Sequence, residues 1–269
     1  MNFFISIFLM LGITPNYRAE YRLTYHPDST NYKNVKEELF YLTLKENKQS
    51  YFASEKFLKA DSIKGLRNAG LLSASEYMGD PKYRFHSAFM KFISKSYDSQ
   101  DSQIFETISI NQFKYSVKNH LKWEIGTETD SISGLVCTKA TTTFAGRDYI
   151  AWFAAEIPIS DGPYLFWGLP GLIIKVSDTD NDYDFTLQQF GQYKGSILEW
   201  PEHATARKTM DTNAKKVFDY REEVRKDPMP EIERHFGVVT FNGVPSTDKS
   251  LRNRKAWNNN PLELEAPEE

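Results

Sequence analysis

The sequence has a single cysteine, Cys137, in 269 residues. An intramolecular disulfide and a thiolate metal cluster are therefore excluded, and a lone thiol in an apparent strand reads as a buried, inert side chain. No cysteine closes the N-terminal apolar run, which excludes acylation as a lipoprotein. An excess of charge is lacking too: 33 Lys and Arg oppose 36 Asp and Glu, a net of −3. Such a chain sets up no long-range field to gather nucleic acid or an anionic membrane surface. The local basic cluster of Lys249, Arg252, Arg254 and Lys255 sits in polar sequence and reads as a solvated segment.

Signatures of common chemistry are missing as well. There is no G-x-S-x-G elbow, no H-E-x-x-H helix, no Walker loop and no Rossmann glycine pattern. His26, His86, His120, His203 and His235 are scattered, with no two at i, i+2 or i, i+4, whereas a zinc site needs three or more converging protein ligands. Asp178, Asp180, Asp182 and Asp184 alternate as in part of a calcium loop, but the sixth-position glycine and the distal glutamate are absent, so a solvated hairpin tip is expected. No metal and no cofactor is implied, and no catalytic residue is assigned.

A span long enough for a membrane is also lacking. The apolar run Phe3 to Ile13 is far short of the roughly 20 residues that a spanning helix needs. Its length suits the h-region of a signal peptide, which predicts export, a periplasmic or secreted mature chain without a transmembrane span, and cleavage near Ala19.

What is present is aromatic and strand-like. Phe, Trp and Tyr make up 14% of the chain, and such side chains pack well on a pleated surface. Alternating segments predict strands at Glu20–His26, Glu38–Lys45, Ser50–Ser54, Phe89–Ser96, Ile104–Ile110, Phe113–Val117, Leu135–Phe144, Asp148–Phe153, Leu172–Val176 and Tyr183–Phe190. The alternation of Leu121, Trp123 and Ile125 puts the Trp on a buried face and is followed by a turn over Thr127 to Ser133. Helical spacing appears at Glu55–Ala69 and again at Asn213–Lys226, the latter capped by Thr212 and ended by Pro228 and Pro230. Neither repeat nor domain-scale linker is visible. The expected organisation is a signal peptide over 1–19, one β-rich domain over 20–244 and a polar tail over 245–269, disordered beyond Leu264.

The densest stretch is Trp152 to Ile174. Pro158, Pro163 and Pro170 fix φ and remove donors, while Gly162, Gly168 and Gly171 open conformations closed to other residues, so the segment must bend repeatedly. Trp152, Tyr164, Phe166, Trp167 and Leu169 then either plug a curved sheet or line one wall of a ligand or partner groove, with Ile157, Pro158, Gly162, Pro163, Gly168, Pro170 and Gly171 as the structural frame. Asp161, before a glycine in a rigid turn, is expected to bond its own backbone; the other role for it, or for Glu156, is that of a general acid or base.

Gly168-Leu169-Pro170-Gly171-Leu172-Ile173, preceded by Ala151-Trp152-Phe153, Glu156-Ile157-Pro158 and Gly162-Pro163, resembles the signature of the GLPGLI family, exported proteins of Bacteroidetes named for that hexapeptide. Cys137-Thr138-Lys139-Ala140, Gly146-Arg147 and Asn260-Pro261-Leu262-Glu263-Leu264 also match its pattern. Trp167 stands where a small residue is usual. The resemblance implies a cell-envelope setting and supplies no reaction. The fold class expected is mainly β (α+β): a curved antiparallel sheet or half-open β-barrel with a few covering helices, similar at fold level to periplasmic lipoprotein carriers. The function expected is a non-enzymatic binding or carrier module for an apolar ligand, a peptide or an outer-membrane transporter. The alternatives are an envelope hydrolase or metal-dependent enzyme, and a structural subunit of an envelope complex.

Overall fold

The computed structural model describes residues 16–45, 48–83, 85, 87–109, 111–197, 201, 209–228, 230, 233, 240, 241, 244, 245 and 260–268. The period-two pattern of the first strand, β1 (Tyr17–Tyr25), buries Ala19, Tyr21, Leu23 and Tyr25 and turns Arg22 out to solvent. β2 (Lys36–Lys45) and β3 (Gln49–Ser54) pair in register from Phe40↔Ser54 to Lys45↔Gln49. Helix α1 (Glu55–Asn68) starts where the Ser54 hydroxyl accepts the Phe57 N–H, and a Ser73–Glu76 capping box starts the short α2 (Ala74–Gly79). β4 (Lys91–Ser96), β5 (Asp101–Ile108) and β6 (Asn111–Lys118) complete one half of the sheet.

The other half comprises β7 (Glu124–Ile132), β8 (Leu135–Phe144), β9 (Arg147–Ala154), β10 (Leu172–Asp178) and β11 (Tyr183–Gln192). β12 (Thr209–Asp211) adds to β6 in parallel, α3 (Ala214–Lys226) follows, and β13 (Thr240–Phe241) pairs with β14 (Val244–Pro245) as a separate ribbon. The large sheet has twelve strands in the order β12-β6-β5-β4-β3-β2-β1-β11-β10-β9-β8-β7. The chain thus starts in the middle, meanders out to β6, crosses to the far edge at β7 and meanders back until β11 pairs with β1. Register shifts at Glu20/Tyr21, Ile125/Thr129 and Ile173/Lys175 mark bulges, which bend strands and strengthen twist. The sheet is open and curved, as expected.

Cross-strand register sets Leu42, Phe52, Ile93, Ile104 and Tyr115 side by side on one face. On that face the sheet packs against the loop between β9 and β10, Val217 of α3 and Leu262. On the other face Phe57 of α1 packs on Tyr51, Ala53, Phe92 and Phe105.

Three differences from the sequence expectations stand out. β7 lies where a turn was expected, because an edge strand exposed from Glu124 to Ser131 has no apolar alternation to betray it. The cap of α3 is Asn213, whose side chain accepts the Lys216 N–H. Residues beyond Leu264 are held: the N–H groups of Leu264 and Glu265 both donate to the Ala145 carbonyl and Pro267 is buried. Ala19, near the expected cleavage, is fully buried inside β1 between Leu42 and Phe190. The apolar N-terminal run and the basic cluster at 249–255 lie outside the described residues.

Candidate functional site

The loop from Ala155 to Gly171 is stitched to itself and to its flanking strands. Ile157 N–H donates to Ala154 O (3.2 Å) and Leu172 N–H to Ile157 O (3.0 Å), closing its base; Phe166 N–H to Pro163 O (3.0 Å) closes the tip. Its glycines are demanded by space. A Cβ on Gly171 would lie 2.4 Å from the Ala154 carbonyl oxygen, and one on Gly162 2.7 Å from Phe166 O and from the Ile173 side chain. Gly168 sits at φ +102°, a region that L side chains rarely adopt.

The five residues offered for a plug or a groove wall pack as follows. Tyr164, Phe166, Trp167 and Leu169 are between 0% and 3% exposed, and Trp152 is half-buried. Phe166 lies against Tyr149, ring centroids 4.6 Å apart, and Trp167 against Tyr97 at 5.6 Å. Trp123 is half-buried and its indole N–H donates to the Trp167 carbonyl at 3.0 Å. Of the frame residues, Ile157, Gly162, Pro163 and Gly171 are buried, while Pro158, Gly168 and Pro170 reach solvent.

Asp161 pins the loop to the sheet. Its Oδ1 accepts from Lys95 Nζ and from the Gly162 N–H, both at 2.7 Å; its Oδ2 accepts from Ser50 Oγ at 2.5 Å and from the Tyr97 hydroxyl. Lys95 also donates to Gly162 O at 2.7 Å, and both charged side chains are fully buried. Burial pulls the Lys95 ammonium below the ordinary lysine range and Asp161 opposes that pull. The Tyr21 hydroxyl, raised well above the usual value by burial and then by Asp161, donates to Ile173 O at 2.6 Å. The expected bond from Asp161 to its own turn is present, and its other three partners come from β3, β4 and the residue that follows β4. This carboxylate is enclosed, with both oxygens hydrogen-bonded within the protein; Glu156 is exposed on the turn.

A second ionic node joins the loop to α3 and the C-terminal segment. Arg221 donates to Glu106 through Nε (2.8 Å) and Nη2 (3.0 Å), a bidentate geometry, and through Nη1 to Glu263. Lys91 Nζ donates to Glu263 Oε1 at 2.8 Å and to the Tyr164 hydroxyl at 2.9 Å; Tyr115 OH donates to Glu106 Oε2 at 2.7 Å. Burial alone would raise the Glu263 pKa, but Arg221 and Lys91 prevail and hold its carboxyl well below the usual range. Burial, with Glu263 adding to it, drives the Tyr164 phenol far up.

A third node overturns the solvated-tip reading for two of the four aspartates. Asp178 and Asp182 are 2% and 5% exposed, and Arg147 Nη1 donates to both at 2.8 and 3.0 Å. Its Nη2 donates to Asn260 Oδ1 (2.5 Å) and Pro261 O (2.9 Å). Burial raises the Asp178 pKa, moderated by the Tyr183 N–H and Arg147. Carboxylate oxygens of Asp178, Asp180 and Asp182 lie within 4.8 Å of one another, with the guanidinium already supplying the positive charge. His26 stands beside this node through its N–H to Asp182 O, whereas His120, exposed after β6, follows a strand five places from β1 in the sheet. The other histidines lie outside the described residues.

Lys91, Lys95 and Glu106 were not singled out from the sequence, although a signal existed for each of them. Lys91-Ile93-Lys95 and Ile104-Glu106-Ile108 place charges in the same phase as core residues. A charge in the apolar phase of a strand must find a partner, because an unpaired buried charge is prohibitively costly. A cleft of about 560 Å³ lies elsewhere, lined by Asp101, Gln103, Lys114, Ser116, Lys118 and Asp211 at the β5–β6–β12 edge, and its lining is polar.

Comparison with known proteins gives little beyond fold. A family model described as a protein of unknown function (Porph_ging) matches residues 145–175, the loop and its flanking strands. No curated protein matches the sequence. Among solved structures, PNGF-II in its C2 and P21 crystal forms is similar at TM-scores of 0.53 and 0.52, with 12% identity over 79% of this chain. The matched part spans 34% of the PNGF-II chain, about a third of its length. At that identity the likeness concerns the fold alone. The LolA superfamily protein NE2245 from Nitrosomonas europaea is more distant: TM-score 0.28, 8% identity, 68% of this chain and 88% of that one.

Proposed function

We propose that the chain is an exported protein of the GLPGLI type and acts in the cell envelope as a non-enzymatic binding module. It is periplasmic or secreted and docks on an outer-membrane transporter or another envelope protein. The observation that supports this reading is the filled sheet face. The loop carrying Tyr164, Phe166, Trp167 and Leu169 occupies that face, and Lys91, Lys95, Arg147 and Arg221 each lie against a carboxylate. An apolar ligand would have to displace that loop from its bonds to Ser50, Lys95 and Tyr97, so partner docking is favoured over carriage. Among the described residues no helix is long and apolar enough to cross a membrane. The mature domain in this reading starts ahead of Tyr17, since cleavage at Ala19 would remove three residues of β1, and extends through the 260–268 segment whose Asn260 and Glu263 are buried.

The test is affinity capture of the exported full chain from envelope extracts, with mass spectrometry of co-purified proteins and extracted small molecules. A stoichiometric envelope protein is expected. A stoichiometric lipid or other small molecule without a protein would overturn docking in favour of carriage.

A further inference from the structure

β7 is the long open edge of the sheet. The opposite edge, β12, has three residues and runs into α3, whereas β7 has nine, pairs among the described residues only with β8, and is exposed from Glu124 to Ser131. Only Ile132 turns towards the core, and Ile125 and Val136 stand 53% and 69% exposed beside it. A long exposed edge presents unpaired N–H and C=O groups and is a ready template for another strand; proteins guard such edges with charges and bulges.

The guard on β7 has one sign. Its sequence EIGTETDSI carries Glu124, Glu128 and Asp130 and no cation. Register aligns Glu124 with Thr141 and Asp130 with Cys137, and Glu128 pairs with Lys139 Nζ at 3.0 Å, so the three acids share the face of alternate β8 residues. Lys139 offsets one of them, and among the described residues no ion pair offsets Glu124 or Asp130. A second copy is a poor occupant. Antiparallel self-pairing centred on Glu128 sets that residue against itself, and parallel self-pairing does so for all three acids, and like charges directly opposite destabilise a sheet.

We propose that β7 is the docking edge, and that it takes by strand addition an extended partner segment with Lys or Arg at alternate positions and small or β-branched residues between them. Main-chain bonds would supply affinity and the acidic row the choice of partner and register. The inference rests on the binding-module reading and names where the partner sits.

The test uses the purified full chain and two synthetic peptides, acetyl-KTKVKTK-amide and acetyl-ETEVETE-amide, followed by hydrogen exchange of the β7 amides and by titration at low and high salt. The basic peptide is expected to slow exchange in Glu124–Ile132, to bind more weakly as salt rises, and to lose about tenfold in affinity on Glu124→Lys with Asp130→Lys, two exposed pairs being reversed. The same double variant is expected to gain binding of the acidic peptide. Binding that leaves β7 exchange unchanged, or that survives the reversal, overturns the proposal; so does β7 protection that grows with protein concentration alone, which assigns the edge to a second copy. Envelope capture with the same variant separates the two readings. A partner retained undiminished removes β7 as its site and leaves the module, whereas peptide binding as expected with no captured protein removes the module and leaves a strand-accepting edge.

Discussion

Replacing Asp161 by alanine isolates the contact that seats the loop. The change removes the acceptor of Lys95, Ser50 and Tyr97 at once and leaves an ammonium enclosed at 0% exposure, with Gly162 O as its remaining hydrogen-bond acceptor among the described residues. Breaking a buried ion pair from one side costs roughly 3–5 kcal/mol, because the surviving charge is uncompensated. For a chain of this size that is a fall in Tm of roughly 6–20 °C. Removing both charges is a different perturbation: the paired replacement Lys95→Met with Asp161→Leu substitutes apolar volume for the ion pair and is expected to stay within about 2 kcal/mol of the parent, since such exchanges are often neutral or stabilising. Urea unfolding followed by far-ultraviolet circular dichroism and by tryptophan fluorescence reads both, with Trp167 reporting on the loop itself. A single replacement costing under about 1 kcal/mol, or a double as damaging as the single, would refute the reasoning that the charge, and not the loss of volume, governs the seat.

Other perturbations address the remaining anchors. Gly171→Ala drives a Cβ into the Ala154 carbonyl and is expected to destabilise by at least about 2 kcal/mol in the same urea assay, within the range for overpacking. Glu263, whose folded pKa lies well below its unfolded value, contributes stability that is complete above about pH 4.5 and declines as pH falls towards the folded value. A Tm series from pH 7 to pH 2.5 should therefore fall more steeply for the parent than for Glu263→Gln, which is lower at neutral pH. Tyr25 has a phenol pushed up to about 12 by burial and then by Glu38, so its contribution is present below pH 10 and is lost as pH rises through 12; Tyr25→Phe should flatten the alkaline arm of the stability profile. Cys137 is fully buried and burial raises its thiol pKa, so a thiol reagent should react slowly with native protein and stoichiometrically in denaturant.

The sheet was legible where one side of a strand faces the core. The alternation of β1, β2, β5, β9 and β11 follows from period-two burial, and helices α1 and α3 were visible through spacing and terminal residues. β7 was hidden because neither of its faces is buried, which removes the only pattern a strand writes into sequence. The bends of the β9–β10 loop could be read from three prolines and three glycines, since these act through local dihedrals. Its anchors could not, because Asp161 meets Ser50 and Lys95 across 111 and 66 residues, and Glu263 meets Lys91 across 172. Such pairings are set by strand order. The C-terminal segment reads as polar tail for the same reason: Asn260 and Glu263 look solvated until Arg147 and Arg221 are placed beside them.

Native-state hydrogen exchange across the β9–β10 loop tests most directly whether this protein fills its own sheet. If the loop is a permanent part of the core, the N–H groups of Phe166, Leu172 and Ile173, which donate to Pro163, Ile157 and Asp161, exchange only with global unfolding, at rates matching the amides of Lys175–Asp178 further along β10. Exchange of these amides as fast as that of exposed β7, with Lys175–Asp178 of β10 still protected, would show that the loop leaves its seat in the native protein, and would return the aromatic face beneath it to the role of a ligand-binding wall.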